Sequence, residues 1–259
     1  MPKENQKKLK AYENIEFLKS RDARTLRILS EYLEPEKRFT EHNIKHTVVF
    51  FGSARTKPGK EDDFGNGKYY DDAEEFAYRV SMFGKDIEKE SGEGVFICTG
   101  GGGGIMEAAN RGSERASRPT IALNISLPFE QHPNPYATPE LSFEFHYFFM
   151  RKLWFLYHAK AVVVFPGGYG TIDELFETLT LVQTKKLEKV DLPILLYGTE
   201  FWKKLINFDY FLEKGLISPE DINLISFFDT PEEGMKILKP RLMKQMENYH
   251  HYLEEKFPI

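Results

Sequence analysis

Residues 161–177 read AVVVFPGGYGTIDELFE and join an apolar strand pattern to an amphipathic helix through a glycine-rich turn. The predicted strand covers Ala161–Phe165, and the predicted helix opens on Ile172 after the turn Pro166–Thr171. Three glycines in four positions let the backbone turn tightly and present its N–H groups. The first N–H groups of a helix lack intrahelical partners and carry the positive end of its dipole. The stretch therefore predicts a site for a phosphate or another anion.

Glu174 follows this turn and admits two interpretations. In the first, Thr171 caps the helix and Glu174 bonds back to it as the third helical residue, which is a capping box. Glu174 would then be structural. In the second, a carboxylate beside an anion site is electrostatically unfavourable, and such a position is typical of a functional group.

The same order of strand, glycine loop and helix occurs earlier in the chain. Val95–Cys98 is a short apolar run that leads into Gly100–Gly104 and then into a helix from Ile105. Further predicted strands, alternating with helices, are Thr47–Phe51, Thr120–Ile125 and Pro193–Tyr197. The predicted fold is α/β: a doubly wound, mostly parallel, Rossmann-like sheet with helices on both faces and added N- and C-terminal helices. Ligands of such sheets bind at the carboxyl ends of the strands, where both glycine loops would lie.

These motifs together resemble the LOG family. They are Pro166-Gly167-Gly168-x-Gly170-Thr171-x-x-Glu174, the pair Arg151-Lys152 upstream, and the earlier loop Gly100–Gly104. The resemblance runs from about Thr47 to about Tyr197. Members of the family were often labelled possible lysine decarboxylases, and its characterised enzymes are nucleoside 5′-monophosphate phosphoribohydrolases, including cytokinin-activating ones.

The resemblance implies hydrolysis of the N-glycosidic bond of AMP or of a cytokinin-type ribotide, giving a free base and ribose 5-phosphate. It implies that Glu174 stabilises the cationic sugar and accepts a proton from water, while Arg151 orients the substrate or assists departure of the base. The phosphate would lie on Gly168, Gly170 and Thr171. The full set of expected substrate contacts is Ser53, Gly101, Gly102, Gly103, Glu107, Arg151, Lys152, Gly167, Gly168, Gly170, Thr171 and Glu174.

Other classes of site use related residue patterns. A non-catalytic nucleotide or cofactor carrier could use the same glycine cradle. A lysine decarboxylase would need pyridoxal phosphate on a lysine, and Lys152 is the only lysine in the matched motifs, so no cofactor is expected. Gly67-Lys68 precedes Tyr69 where a P-loop needs Ser or Thr, and no Gly-x-Gly-x-x-Gly follows the first strand. His42 and His46 lack a third ligand, so no metal is expected.

Composition limits the partners. The net charge of −5 argues against a nucleic-acid backbone, which binds clustered positive charge. The single cysteine, Cys98, excludes an internal disulfide and fits a reducing compartment. No apolar run reaches the length of a membrane span, and the start of the chain lacks the apolar segment of a signal peptide. We therefore expect a cytoplasmic protein that binds neither nucleic acid nor membrane.

We expect three segments: an N-terminal helical extension over 1–46, a Rossmann-like nucleotide-binding domain over 47–229, and a C-terminal helix over 230–259 that packs on the domain or on a partner subunit. Pro35 is expected to stop the N-terminal helix. The aromatic run Phe143–Phe149 indicates core or a dimer interface. Together with the C-terminal apolar stripe Met235, Leu238, Leu242, Met246, Tyr249 and Leu253, it predicts a homodimer or a higher homo-oligomer.

Three loops complete the predicted cleft. Ser53 and Arg55 follow the first strand and can either reach a ligand or form an ordinary strand-exit turn. Lys57–Lys68 predicts a loop or flap. The proline-rich segment Leu127–Glu140 can wall a pocket, although a plain surface connection is the favoured interpretation. Phe149-Met150 stands where many LOG members have a polar residue before the Arg-Lys pair, so the preferred base stays open.

Overall fold

The computed structural model describes residues 9–59, 63–127, 133–187 and 192–256. Pro128 of the proline-rich segment and the side chains of Tyr249 and Leu253 lie outside the described part. The strands are β1 (His46–Phe51), β2 (Val95–Thr99), β3 (Thr120–Ile125), β4 (Ser142–Phe145), β5 (Ala159–Val164), β6 (Ile194–Tyr197) and β7 (Ile225–Phe228). The helices are α1 (Ile15–Lys19), α2 (Arg24–Glu41), α3 (Gly67–Ser91), α4 (Ile105–Arg115), α5 (Phe148–Tyr157), α6 (Tyr169–Gln183), α7 (Thr199–Leu205), α8 (Phe208–Glu213) and α9 (Pro231–Lys256).

The seven strands form one parallel sheet in the order β4-β3-β2-β1-β5-β6-β7. The chain builds outward from β1 to β4 on one side and then returns to place β5 on the other side of β1. The strand order therefore reverses between β1 and β5, and a crevice opens at their carboxyl ends. The predicted α/β fold with a parallel, doubly wound sheet is confirmed.

Apolar side chains cover both faces of the sheet, as the continuous apolar strands require. On one face, the core includes Trp154 and Phe155 of α5, Leu175 of α6 and Phe39 of α2. On the other face it is built by α3, α4 and α9, with Phe76 as one of its largest fully buried side chains. The two helices that follow the glycine loops thus pack on opposite faces of the sheet, α6 on the first face and α4 on the other.

The prediction that Pro35 stops the N-terminal helix is wrong. Pro35 is buried inside α2, which continues to Glu41. A proline has no N–H, so the carbonyl four residues earlier, on Glu31, loses its intrahelical donor. The indole Nε1 of Trp154 donates to that carbonyl at 3.0 Å. Tertiary contact therefore satisfies the group that proline leaves without a helical donor.

The C-terminal helix lies along α3 and the sheet of its own chain. Met235, Leu238, Leu242 and Met246 are all buried there. On α5, by contrast, Phe148 and Phe149 are each about half exposed. The homo-oligomer stays a prediction, and these two rings of the aromatic run remain accessible to a partner.

Among the described residues, no helix is both long enough and apolar enough to cross a bilayer.

Candidate active site

The turn after β1 links the two glycine loops. Ser53 donates its backbone N–H to the carbonyl of Pro166 at 3.0 Å, and its own carbonyl accepts from Ile105 N at 3.0 Å. The first bond reaches the loop before α6, and the second reaches the start of α4. Ser53 Oγ accepts from the N–H of the exposed Arg55 at 3.1 Å. The strand reversal between β1 and β5 thus brings the expected binding segments together.

Buried polar side chains support the first glycine loop. Asn134 Nδ2 donates to the carbonyls of Gly101 at 3.1 Å and Gly102 at 3.0 Å, and to Asn110 Oδ1 at 2.8 Å. Thr99 Oγ1 also donates to Asn110 Oδ1 at 2.7 Å and accepts from Gly101 N at 3.0 Å. The favoured interpretation of the proline-rich segment as a plain surface connection is wrong at Asn134, which is buried and holds the loop in place.

Gly104 shows why this loop needs glycine. Its φ is +64°, and a Cβ there would overlap the carbonyl of Ser53. Residues with a Cβ rarely adopt a positive φ. The overlapped carbonyl of Ser53 is also already hydrogen bonded, to Ile105 N. Gly103 lies beside the carbonyl of Ala54, so both glycines hold the loop against the turn after β1.

The second glycine loop is open. α6 begins at Tyr169 with Gly168 as its N-cap, and Tyr169 is 94% exposed. A Cβ at Gly168 or Gly170 would meet open space, whereas Gly167 is packed against the side chain of Thr171. Residues 168–170 are therefore exposed at the start of α6, and the unpaired N–H groups of a helix start are a potential anion site. Thr171 itself is buried and supports the turn.

Glu174 lies in the second turn of α6. The capping-box interpretation is wrong, because the helix begins two residues before Thr171 and no side chain caps it at Gly168. The tight glycine turn allows this earlier start. Burial raises the pKa of Glu174 to about 7, and the charge of Arg151 opposes part of that rise. At neutral pH the carboxyl group is therefore poised to accept or give a proton.

Arg151 stands opposite this carboxylate. Its Nη1 lies 3.5 Å from Glu174 Oε1, and both side chains are mostly buried. The guanidinium is held by Leu123 O, 2.7 Å from Nε, and by Gly100 O, 3.5 Å from Nη2. A Cβ at Gly100 would overlap the guanidinium, so the first glycine loop also makes room for it. Burial lowers the pKa of Arg151, and nearby carboxylates oppose that fall.

Lys152 forms its ion pairs with carboxylates other than Glu174. Its Nζ lies 2.8 Å from Asp173 Oδ2 and 3.0 Å from Glu177 Oε2, which ties α5 to α6. Hydrogen bonds and charge from these carboxylates raise the pKa of Lys152 above its usual value despite partial burial. A lysine that forms a Schiff base needs a neutral amine, so this environment is unfavourable for pyridoxal chemistry.

Glu107 lies in the first turn of α4, where it accepts from Tyr70 Oη of α3 at 2.8 Å. Burial and this bond raise the pKa of the Tyr70 hydroxyl. Glu107 therefore links α4 to α3 through this hydrogen bond.

The sequence prediction missed Thr99, Asn110 and Asn134. A polar residue flanked by Pro133 and Pro135 was the available signal at Asn134, but its partners lie 24 residues or more away along the chain.

A separate cavity of about 680 Å³ lies against α6 at Phe176, Leu179 and Thr180, with residues of the 203–227 segment as its other wall. Its lining includes neither the glycine loops nor Arg151 or Glu174. The cavity is therefore distinct from the candidate site. Within the described ranges, no three His, Cys, Asp or Glu side chains are grouped to hold a metal ion.

Solved structures share this fold. The molybdenum cofactor binding protein from the phototrophic bacterium Rippkaea orientalis is 17% identical, with a TM-score of 0.50 over 76% of this chain and 96% of that one. The Moco carrier protein from Chlamydomonas reinhardtii is 17% identical, with a TM-score of 0.51 over 77% and 99% of the two chains. At such identities the likeness concerns the fold alone.

Sequence relatives are more specific. A probable cytokinin riboside 5′-monophosphate phosphoribohydrolase of Oryza sativa subsp. japonica is 27% identical over 226 residues, 82% of this chain and 88% of the relative. A cytokinin riboside 5′-monophosphate phosphoribohydrolase of Arabidopsis thaliana is 34% identical over 101 residues, 38% of this chain and 42% of the relative. The family model described as "Possible lysine decarboxylase" matches residues 106–238, just over half of the chain. The chain belongs to this family, the LOG family.

Proposed function

We propose that this protein hydrolyses the N-glycosidic bond of a nucleoside 5′-monophosphate, AMP or a cytokinin-type ribotide, to the free base and ribose 5-phosphate. The observation that carries the proposal is the buried pair formed by Arg151 of α5 and Glu174 of α6, the helix that follows the open glycine turn. Phosphoribohydrolase activity is named for the plant relatives. Family membership and this pair together support a hydrolytic reaction.

The spacing along α6 suits such a substrate. Glu174 is five residues beyond Tyr169, the first residue of the helix. At 1.5 Å per residue this is roughly 7.5 Å along the axis, comparable to the span from the 5′-phosphate of a nucleotide to its glycosidic carbon. A phosphate on the first N–H groups would therefore bring the sugar near the carboxylate.

The proposed reaction begins as the bond between the base nitrogen and C1′ lengthens and positive charge develops on the sugar. The Glu174 carboxylate stabilises that charge and accepts a proton from the water that attacks C1′. The departing base leaves with the bonding electron pair and takes up a proton from solvent, and Glu174 then releases to solvent the proton that it accepted from the attacking water. Arg151 orients the substrate and limits the rise of the Glu174 pKa, so that part of Glu174 is ionised at neutral pH.

The test is to incubate the purified protein with AMP, other nucleoside monophosphates and adenosine, and to follow the free base by chromatography. We expect AMP to be cleaved at least about 30-fold faster than adenosine, because charge-assisted bonds to the phosphate are lost in the nucleoside. Equal cleavage of the two would contradict the phosphate site. Nucleotide binding without base release would replace the hydrolase with a carrier.

A further inference from the structure

A residue of the N-terminal extension binds the start of α5, the helix that carries Arg151. Tyr147, the N-cap of α5, makes no capping bond with its own side chain. The carboxylate of Glu31 in α2 instead binds the two backbone N–H groups just before the helix: Oε1 accepts from His146 N at 2.8 Å, and Oε2 accepts from Tyr147 N at 3.2 Å. A carboxylate at a helix N-terminus is stabilised by the unpaired N–H groups and by the helix dipole.

Glu31 holds α5 at a second point through its main chain. Its carbonyl, left without a helical donor by Pro35, accepts from the indole of Trp154 at 3.0 Å, and Trp154 is almost completely buried. The two contacts therefore lie on either side of Arg151. Arg24, also in α2, adds a cation–π contact 5.6 Å from the ring centroid of Tyr147.

We infer that Glu31 is a positioning residue, which orients α5 so that the guanidinium of Arg151 is held opposite Glu174. The inference rests on the proposed function and extends it to α2, which lies outside the matched residues 106–238. Small displacements matter at such a site, since catalytic groups must be held to within a fraction of an ångström.

The charges around Glu174 predict the direction in which a displacement of α5 shifts its pKa. Both cations that lower the Glu174 pKa, Arg151 and Lys152, are on α5, whereas both acids that raise it, Asp173 and Glu177, are on α6 with Glu174 itself. Glu144 of β4 faces Arg151. Loosening α5 moves the cations away and leaves the acids in place. A displacement of α5 too small to admit water leaves Glu174 buried, so the weaker attraction of the cations raises the pKa of Glu174.

The experiment compares Glu31→Ala with Glu34→Ala in the full chain. Glu34 is one turn further along α2 and pairs with Arg38 of the same helix, so it is the matched control. For Glu31→Ala we expect kcat for AMP to fall about tenfold with a smaller change in KM. We also expect the acid limb of the pH–rate profile to move up by about half a unit. Glu31→Gln, which keeps one acceptor oxygen, should recover part of both effects.

A purely structural role for Glu31 would lower activity equally at every pH, so an unmoved acid limb overturns the inference. Two further measurements separate it from the proposed function. Amide hydrogen exchange over 143–157 should be faster in Glu31→Ala than in Glu34→Ala, and AMP should bind more weakly to Glu31→Ala. If the wild type releases no base, the proposed function fails, while these two measurements still test the positioning. Unchanged exchange or unchanged AMP affinity in Glu31→Ala would refute it.

Discussion

The two glycine loops share one order of strand, loop and helix, yet their surroundings differ. The first loop is held by buried side chains, with Asn134 and Thr99 bonded to its backbone. The second loop, before α6, has open space at Gly168 and Gly170. The bonds to the first loop fix the carbonyls of Gly101 and Gly102 and the N–H of Gly101, as buried polar groups require.

This difference indicates a division of roles. The first loop shapes the cleft and makes room for Arg151, whose guanidinium bonds to Gly100 O. The second loop leaves the start of α6 accessible and is followed by Glu174. Glycine-rich composition alone therefore does not identify a ligand-binding loop, because the neighbours of the loop decide whether its N–H groups are accessible.

The largest effect is expected for the variant Glu174→Gln. If the helix after the open loop carries the chemistry, turnover of AMP should fall by roughly 100-fold or more, because the proton acceptor and the charge are removed. AMP binding should remain, since the amide has the shape of the carboxyl group. Steady-state rates and AMP titration measure the two effects.

Asp173→Asn is the matched control for that change. Asp173 is the adjacent acid, is largely exposed and pairs with Lys152 rather than with Arg151. Its variant should keep turnover within a few-fold of wild type. If Glu174→Gln proves as active as this control, Glu174 has no part in the mechanism.

Two glycine variants test whether the two loops differ in packing. Gly104→Ala should destabilise the fold by about 2 kcal/mol or more, because φ is positive and the new Cβ overlaps Ser53 O. Gly168→Ala should change stability by less than about 0.5 kcal/mol, since its Cβ meets open space. Denaturant unfolding measures both. Similar losses in the two variants would contradict the difference in packing between the two loops.

Gly168→Ala should weaken the binding of AMP rather than the stability of the fold. A methyl group in the accessible volume before α6 should raise KM for AMP several-fold while leaving cleavage of adenosine unchanged. Inorganic phosphate should compete with AMP more weakly in this variant than in wild type. An unchanged KM would place the phosphate elsewhere.

The pH dependence of rate and of stability tests the protonation of Glu174. Burial raises the pKa of Glu174 from 4.5 to about 7, so a base mechanism predicts a rate that falls about tenfold per pH unit below 7. The free energy of unfolding depends on pH in the opposite direction from the rate. The folded state binds a proton at Glu174 more tightly than the unfolded state, so the contribution of Glu174 to stability falls as pH rises from 4.5 through 7. Thermal unfolding should favour Glu174→Gln over wild type more at about pH 8 than at about pH 5.

The sequence alone was sufficient for the fold and for the placement of the two glycine loops. Continuous apolar strands such as Ala161–Phe165, alternating with helices, require a parallel sheet covered on both faces. Glycine loops that follow two such strands must then lie at the carboxyl edge. These inferences use local patterns with periods of a few residues, which the chain displays directly.

Only the tertiary structure decided what each polar residue does. Pro35 remains inside α2 because Trp154, far along the chain, bonds to the carbonyl of Glu31. Asn134 supports the first glycine loop, and Lys152 pairs with Asp173 and Glu177 while its neighbour Arg151 reaches Glu174. Hydrogen bonds and ion pairs are directional and join residues distant in sequence, so no local pattern specifies them. Burial, which raises the pKa of Glu174, is likewise a property of the folded chain.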